Sequence, residues 1–169
     1  MTETTIHRFT LILADVSKID EQLEDRVFEA GCDDALLAER DGVVYLDFDR
    51  SASSFEGALR SAMDDVESCG MEVARVEPDD LVNQSQIADR VGRSRESIRL
   101  LISGARGPGT FPPPVSGVKG KMRIWNWSEV ARWLASHSLI DESEMRQAAL
   151  VAEVNWACLR APDRKDPRS

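Results

Sequence analysis

The sequence predicts an α+β protein made of two parts with different character. In the first 78 residues, strand-like and helix-like segments alternate, and past Pro78 the apolar spacing becomes helical. The charge changes at the same place. Residues 1–80 hold 7 basic and 21 acidic side chains, whereas residues 81–135 hold 9 basic and 3 acidic ones. Such an asymmetry indicates that only the second part meets a polyanion.

The acidic part contains six segments in the order strand, helix, strand, strand, helix, strand. Its clearest turn is Asp41-Gly42, a strong signal for a two-residue hairpin. This order predicts a split βαβ, or ferredoxin-like, sandwich over residues 1–78, in which two helices cover one face of a four-stranded sheet. The predicted segments are 7–15, 20–30, the two strands of 34–49, 54–68 and 71–78.

A pair of short helices is predicted at the start of the basic part. Asn83 and Gln86 have the spacing of a capping box, which begins the first helix. Gly92 permits a sharp turn, and Ser94 caps a second helix over 95–103. Two helices joined by a tight glycine turn, with a basic outer face on the second, are typical of a helix-turn-helix.

The rest of the chain predicts a loop, a strand, two helices and a tail. The aromatic strand "RIWNW" follows a Pro/Gly-rich loop, and we assign Trp125 and Trp127 to the core. Ser128 is the expected N-cap of the next helix. The expected bounds are 104–121 for the loop, 129–137 for that helix, 81–138 for the domain that contains the helix pair, 141–160 for a C-terminal helix and 161–169 for a disordered tail.

One family resemblance covers about a third of the chain. In "QSQIADRVGRSRESIRLLI", Ala88, Gly92, Ile98 and Leu101 have the spacing of a helix-turn-helix signature. The downstream order "FPPPV…KGKMRIWNWSEVARWL" adds to this pattern. Together they resemble the winged helix-turn-helix domain of the MerR/excisionase-like (AlpA-type) group, over about 81–135. The resemblance implies a basic wing hairpin, an aromatic return strand and a following helix.

A helix-turn-helix binds duplex DNA because the major groove of B-DNA, about 12 Å wide, admits one α-helix. Arginine can bind guanine O6 and N7, and glutamate can accept from cytosine N4. Phosphate contacts position the protein without reading sequence. The expected base contacts are Ser94, Arg95, Glu96 and Arg99, and the expected phosphate contacts are Arg93, Arg106, Lys119, Lys121 and Arg123.

We therefore expect a sequence-specific double-stranded DNA-binding protein, most simply a transcriptional regulator. One alternative is an antitoxin-like interaction protein whose DNA binding is autoregulatory. Another is an excisionase-like architectural factor, which the additional acidic domain disfavours. An enzyme is not expected, since the two histidines come with no nucleophile elbow, phosphate loop or metal spacing. No cofactor or metal is expected.

A homodimer is expected, because two half-sites multiply a modest affinity. The C-terminal helix carries an apolar stripe that predicts a dimer seam, and a second stripe that predicts packing on its own domain. The acidic domain is open to three interpretations: dimerisation, ligand sensing or binding of a partner protein. The seam stripe is Met145, Ala149, Ala152, Trp156 and Leu159, and the second stripe is Leu150, Val151 and Val154.

The expected location is the cytoplasm. The chain has no run of about 18 apolar residues, and its N-terminus lacks the features of a signal peptide. Three cysteines far apart in the sequence predict buried free thiols in a reducing compartment. They are Cys32, Cys69 and Cys158.

Overall fold

The computed structural model describes residues 2–161, which divide into two units. The first runs to Pro78 and includes the chain from Glu153 onward, and the second is Asp79–Ala152. The expected α+β class with an antiparallel sheet is confirmed. The tail expected to be disordered, 161–169, lies outside the described residues except for Ala161.

The first unit is a four-stranded antiparallel sheet with two helices. The strands follow the order β2-β3-β1-β4, so β1 and β3 are central and β2 and β4 are the edges. Alternation along β1 and β3 turns Leu11 and Leu46, which lie opposite each other, into a core that also holds Leu59. The elements are β1 (Thr5–Leu13), α1 (Glu21–Glu29), β2 (Ala35–Arg40), β3 (Val43–Ala52), α2 (Phe55–Ser68) and β4 (Val73–Glu77).

Local signals set the bounds of these elements. Asp20 Oδ1 accepts the N–H of Leu23 at 2.8 Å at the start of α1, and Ser54 caps α2 in the same way. Asp41 and Gly42 have φ of 52° and 80°, as the two-residue hairpin between β2 and β3 requires. The predicted hairpin is confirmed.

A buried arginine holds the first unit together on its helix side. Arg50 of β3 is 8% exposed and donates to both carboxylate oxygens of Asp34, at 2.7 and 2.9 Å. It also donates to Asp65 of α2 at 2.8 Å. A buried charge is tolerated only when it is paired and hydrogen-bonded, and here two carboxylates supply the pairing. The hydrogen bonds from Arg50 hold the pKa of Asp34 below its ordinary value.

The edge strand β4 is covered by the side chain of a helix residue. Helix α6 (Glu142–Arg160) places Asn155 beside Val76 of β4. The Asn155 side-chain carbonyl accepts the Val76 N–H at 2.7 Å, and its amide N–H donates to the Val76 C=O at 3.0 Å. The amide thus satisfies the backbone of an edge residue as a neighbouring strand would.

The second unit is mostly helical and has an aromatic core. Ile87, Ile98, Trp125, Val130 and Leu134 are fully or almost fully buried in one cluster. Trp127 belongs to the same cluster, so the assignment of Trp125 and Trp127 to the core is confirmed, and Trp133 lies there as well. The elements are β5 (Leu81–Val82), α3 (Gln84–Val91), α4 (Arg95–Ser103), β6 (Trp125–Asn126), α5 (Trp127–Ser136) and the first part of α6.

Two expectations for the region after the loop are wrong. The aromatic strand is only two residues long, and α5 begins at Trp127, two residues before the expected start. Ser128 is not the N-cap. Instead the Asp80 C=O accepts the Trp127 N–H at 2.5 Å, and the Asp80 carboxylate accepts the Ser128 N–H at 2.6 Å. Asp80, which directly precedes β5, therefore supplies the hydrogen-bond acceptors for the start of α5.

The C-terminal helix α6 packs through the second of the two predicted stripes. Val151 and Val154 are buried, together with Ala148, which was not part of that stripe. In the predicted seam stripe, Trp156 and Leu159 are 62% and 78% exposed. The second stripe therefore packs on the chain itself, and the dimer seam along the first stripe stays a prediction.

Asp34→Asn should destabilise the first unit and reduce its sensitivity to acid. The folded-state pKa of Asp34 is lowered, so its stabilisation is present above the unfolded value of about 4 and is lost as pH falls through the folded pKa. We expect Asp34→Asn to cost about 2 kcal/mol at pH 7, since it leaves Arg50 with one carboxylate. Urea unfolding followed by circular dichroism from pH 7 to pH 3 measures both effects.

The matched control is Asp49→Asn, because Asp49 pairs with Arg8 on the surface, where its side chain is 65% exposed. Exposed pairs contribute at most about 1 kcal/mol. Equal losses for the two variants would show that Arg50 does not depend on Asp34.

Candidate nucleic-acid interface

Helix α3 begins with the capping box that the sequence predicts. The Asn83 side chain accepts the Gln86 N–H at 2.9 Å, and the Gln86 side chain accepts the Asn83 N–H at 2.8 Å. Both bonds satisfy N–H groups that have no partner within the helix. The start of α3 is therefore determined by four consecutive residues.

Gly92 ends α3 in the left-handed conformation, with φ 70° and ψ 32°. A Cβ placed there meets no atom within 4 Å, so the backbone conformation, and not crowding, is what favours glycine. The N–H of Arg93 bonds to the C=O of Ala88 at 3.0 Å and closes the turn. Ser94 then accepts the Ser97 N–H at 3.1 Å and starts α4.

The two helices bury one face and expose the other. Ala88 of α3 is 2% exposed, and Ile98 and Leu101 of α4 lie in the core cluster. On the opposite side of α4, Arg95 and Arg99 are exposed. The outer face of α4 that the sequence predicts is therefore exposed. Its orientation is fixed because the inner face of the same helix packs in the core.

The four expected base-contacting residues differ in what they already bind. The Ser94 hydroxyl oxygen is the N-cap acceptor of α4. Glu96 and Arg99 form a two-point ion pair, at 2.6 and 2.9 Å, on the exposed surface. This pair lowers the pKa of Glu96. Within residues 2–161, no hydrogen bond or ion pair engages the Arg95 side chain, which is free to bind a ligand.

A closed loop carries two of the expected phosphate contacts. The Ile124 C=O accepts the Val115 N–H at 2.7 Å, and the Ile124 N–H donates to the Ser116 C=O at 3.0 Å. Lys119 and Lys121 are exposed within the loop that this pairing closes. A Cβ on Gly117 would come 2.0 Å from the Met122 carbonyl oxygen, so the loop requires glycine there.

The loop is attached to the aromatic core at its beginning. Indole N–H groups of Trp125 and Trp133 donate to the Pro112 C=O at 3.0 Å and to the Thr110 hydroxyl at 3.4 Å. Phe111 lies 5.0 Å from the Trp133 ring. The expected wing hairpin is reduced to a single bridge, Ser116 with Ile124. Residues 112–114 are all proline and have no N–H to extend a ladder.

Two arginines of the basic part of the chain, residues 81–135, lie over tryptophan rings. The Arg90 guanidinium lies 5.3 Å from the Trp127 ring and donates to the Asp79 C=O at 3.2 Å, and burial lowers its pKa. Arg123, an expected phosphate contact, lies 5.3 Å from the Trp125 ring. The other expected phosphate contacts outside the loop, Arg93 and Arg106, are exposed.

Sequence reasoning missed the contact of Arg90 with Trp127 because these residues lie in different helices. It also missed the contact of Arg123 with Trp125, although these residues are only two positions apart. The alternation of arginine and tryptophan in "RIWNW" is the one local signal for the second contact.

Residues 2–161 contain no group of three or more His, Cys, Asp or Glu placed to hold a metal ion. All three cysteines are free, but only Cys32 is fully buried, and burial raises its pKa to about 11. None of the helices in that range is long and apolar enough to cross a membrane.

No family model, no curated protein and no solved structure matches the chain. The resemblance to the MerR/excisionase-like group therefore stays a prediction.

Gly92→Ala should destabilise the second unit by about 1 kcal/mol, because alanine is strained in the left-handed conformation. Gly92→Asn should cost less, since asparagine tolerates this conformation. Thermal unfolding followed by tryptophan fluorescence measures both. The control is Gly120→Ala, at a glycine without a positive φ and with space for a Cβ. A Gly92→Ala protein as stable as the control would contradict the role of the turn.

Proposed function

We propose that the chain is a sequence-specific double-stranded DNA-binding protein, a transcriptional regulator, that inserts α4 into the major groove. The observation that carries the proposal is the left-handed turn at Gly92, which joins two helices and leaves the Arg95 face of α4 exposed. An α-helix with its side chains is about 10–12 Å across, so α4 fits a groove about 12 Å wide. The order helix, turn, helix, closed loop, short strand, helix supports a winged helix-turn-helix.

The charge distribution supports a polyanionic partner. Residues 81–135 carry a net charge of +6, whereas residues 1–80 carry −14. Five exposed cations occupy the turn, the start and end of α4, and the loop. Neutralising phosphates releases counterions, so binding through such groups weakens as salt rises. The five cations are Arg93, Arg95, Arg106, Lys119 and Lys121.

Roles in the complex follow from what each side chain binds in the free protein. Arg95 has no partner to give up within the described residues and is our first candidate for a guanine contact. Glu96 and Arg99 present a carboxylate and a guanidinium side by side, the chemistry that accepts from cytosine N4 and donates to guanine. Arg123 ranks last among the phosphate contacts, because it lies over Trp125.

The first unit supports a regulatory protein with an additional domain. Its strand order β2-β3-β1-β4, together with its two crossover helices, supports a ferredoxin-like sandwich. With its negative charge it is repelled by phosphates. We therefore assign DNA contact to the second unit alone.

Arg95→Ala should weaken binding to the preferred site by about 1–3 kcal/mol and relax base preference, whereas Lys121→Ala should weaken all sequences alike and flatten the salt dependence. The preferred site is first selected from a randomised duplex library with the full chain. Fluorescence anisotropy on that site and on random duplex, at several salt concentrations, then separates the two effects.

The control is Arg60→Ala, which removes an exposed arginine from α2 in the first unit and should change neither affinity. Equal losses on both duplexes for both test variants would contradict the division of roles. A full chain that binds no duplex at low salt would overturn the proposal.

Glu96→Gln should strengthen binding to random duplex, because it removes a carboxylate from the surface that faces phosphates and releases Arg99 from its ion pair. Affinity for the selected site should rise less, so the ratio of the two affinities should fall about tenfold. The same anisotropy assay measures this ratio, with Glu56→Gln in α2 as the control. An unchanged ratio would show that Glu96 does not read a base.

A further inference from the structure

Helix α4 carries one acidic side chain, Glu96, on an otherwise basic outer face. Its carboxylate binds one edge of the Arg99 guanidinium, where Oε2 accepts from Nε at 2.9 Å and Oε1 accepts from Nη2 at 2.6 Å. The side chains of Glu96 and Arg99 are 64% and 52% exposed. The two groups therefore form a neutral unit that the outer face of α4 presents to its surroundings.

The ion pair leaves a second edge of the guanidinium free. A guanidinium has five N–H donors, and Glu96 binds one on Nε and one on Nη2. Within residues 2–161, no other hydrogen bond or ion pair engages Arg99, so the two parallel donors on Nη1 and Nη2 are unused. Each carboxylate oxygen of Glu96 also keeps a lone pair. The pair can therefore donate twice and accept once without breaking.

A G·C base pair presents the complementary groups in the major groove. Guanine offers N7 and O6 as acceptors, and cytosine N4 offers a donor beside O6. Cytosine N4 and guanine O6 are about 2.9 Å apart, because they are hydrogen-bonded to each other. Glu96 Oε1 and Arg99 Nη2 are 2.6 Å apart, so the protein groups and the base groups have a similar spacing. The ion pair thus matches one base pair in the order of its groups and in their separation.

We propose that Glu96 and Arg99 read one G·C base pair as a single unit, and that their ion pair stays intact in the complex. Arg99 donates from Nη1 and Nη2 to guanine N7 and O6, while Glu96 accepts from cytosine N4. The inference rests on the DNA-binding proposal and names the base pair that this part of α4 recognises. Because the unit is neutral, it contributes to the choice of sequence more than to the attraction of phosphates.

The other base pairs do not fit the same row of groups. An A·T pair, in either orientation, places the adenine amino donor against the guanidinium and an acceptor against the carboxylate. A reversed G·C pair places the cytosine donor against the guanidinium and guanine N7 against the carboxylate. The intact ion pair therefore selects G·C in one orientation. Glu96 without Arg99 would be less selective, because adenine N6 and cytosine N4 are both donors.

The competing interpretation gives the ion pair only a structural role in α4. Glu96 lies in the first turn, where a negative charge is favourable, and residues three positions apart pair readily on a helix surface. Such a pair changes the stability of α4 but not which base is preferred at one position of a DNA site. The matched control is the ion pair of Glu56 and Arg60 in α2, which is also exposed and has an N–O distance of 2.9 Å.

The experiment is selection from a randomised duplex library with the full chain, repeated with Glu96→Ala, Arg99→Ala and the double variant. We expect both single variants to lose the preference for G·C at the same position of the site and to keep the preferences elsewhere. Fluorescence anisotropy then compares the selected site with a duplex that carries A·T at that position. The natural sequence should bind the selected site about tenfold more tightly, and the three variants should bind both duplexes alike. Glu56→Ala and Arg60→Ala should keep the natural preference.

A second measurement removes one acceptor from the base. Replacing the guanine at the shared position with 7-deazaguanine exchanges N7 for a C–H group. This change should weaken binding of the natural sequence but not of Arg99→Ala, because only the natural side chain donates to N7. Equal responses of the two proteins would overturn the contact of Arg99 with guanine.

Three results of the selection would also overturn the inference. They are single variants that change two different positions, single variants that change no position, and a selected site with A·T at the shared position. Each of them requires a chain that selects a DNA site, so the DNA-binding proposal would stand. A chain that binds no duplex at low salt would overturn both proposals, so the two failures are distinguishable.

Discussion

The second unit depends on a change of backbone direction at Gly92. Helix α3 ends there in the left-handed conformation, and α4 starts again at Ser94, two residues later. Only with this change can Ile87 and Ile98, which lie on different helices, be buried in the same core. The outer face of α4 is exposed as a consequence, because the inner face is committed to that core. The surface that we assign to DNA is thus a result of how the helix pair packs.

In the first unit, polar side chains make connections between elements and cover a strand edge, which hydrogen bonds between strands more often do. Arg50 ties β3 to α2 and to the chain before β2 through Asp34 and Asp65. Asn155 takes the place of a fifth strand at the β4 edge. Both satisfy buried or edge groups whose exposure to an apolar environment is costly. The β2 edge has no such side chain among the described residues.

A count of the charges in residues 90–99 overstates how many arginines are free to bind a polyanion. Of the four arginines between residues 90 and 99, Arg90 lies against an indole ring and Arg99 is bound to Glu96. Arg93 and Arg95 are the two left exposed without an ion pair in the described part of the chain. Net charge predicts that a polyanion is attracted, but the partner of each cation decides which of them can bind it without first giving up another contact.

The sequence by itself determined the features that arise within a few consecutive residues: the capping box at Asn83, the hairpin at Asp41-Gly42, the turn at Gly92 and the bounds of α4. These depend on hydrogen bonds and backbone angles that neighbouring residues supply. Only the tertiary structure decided that Asp80, 48 residues before Ser128, caps α5, that Asn155 covers a strand 79 residues away, and which stripe of α6 is buried. Contacts between residues so far apart leave no periodic or spaced pattern in the chain, because any residue of the right chemistry can reach the site once the core has brought the elements together.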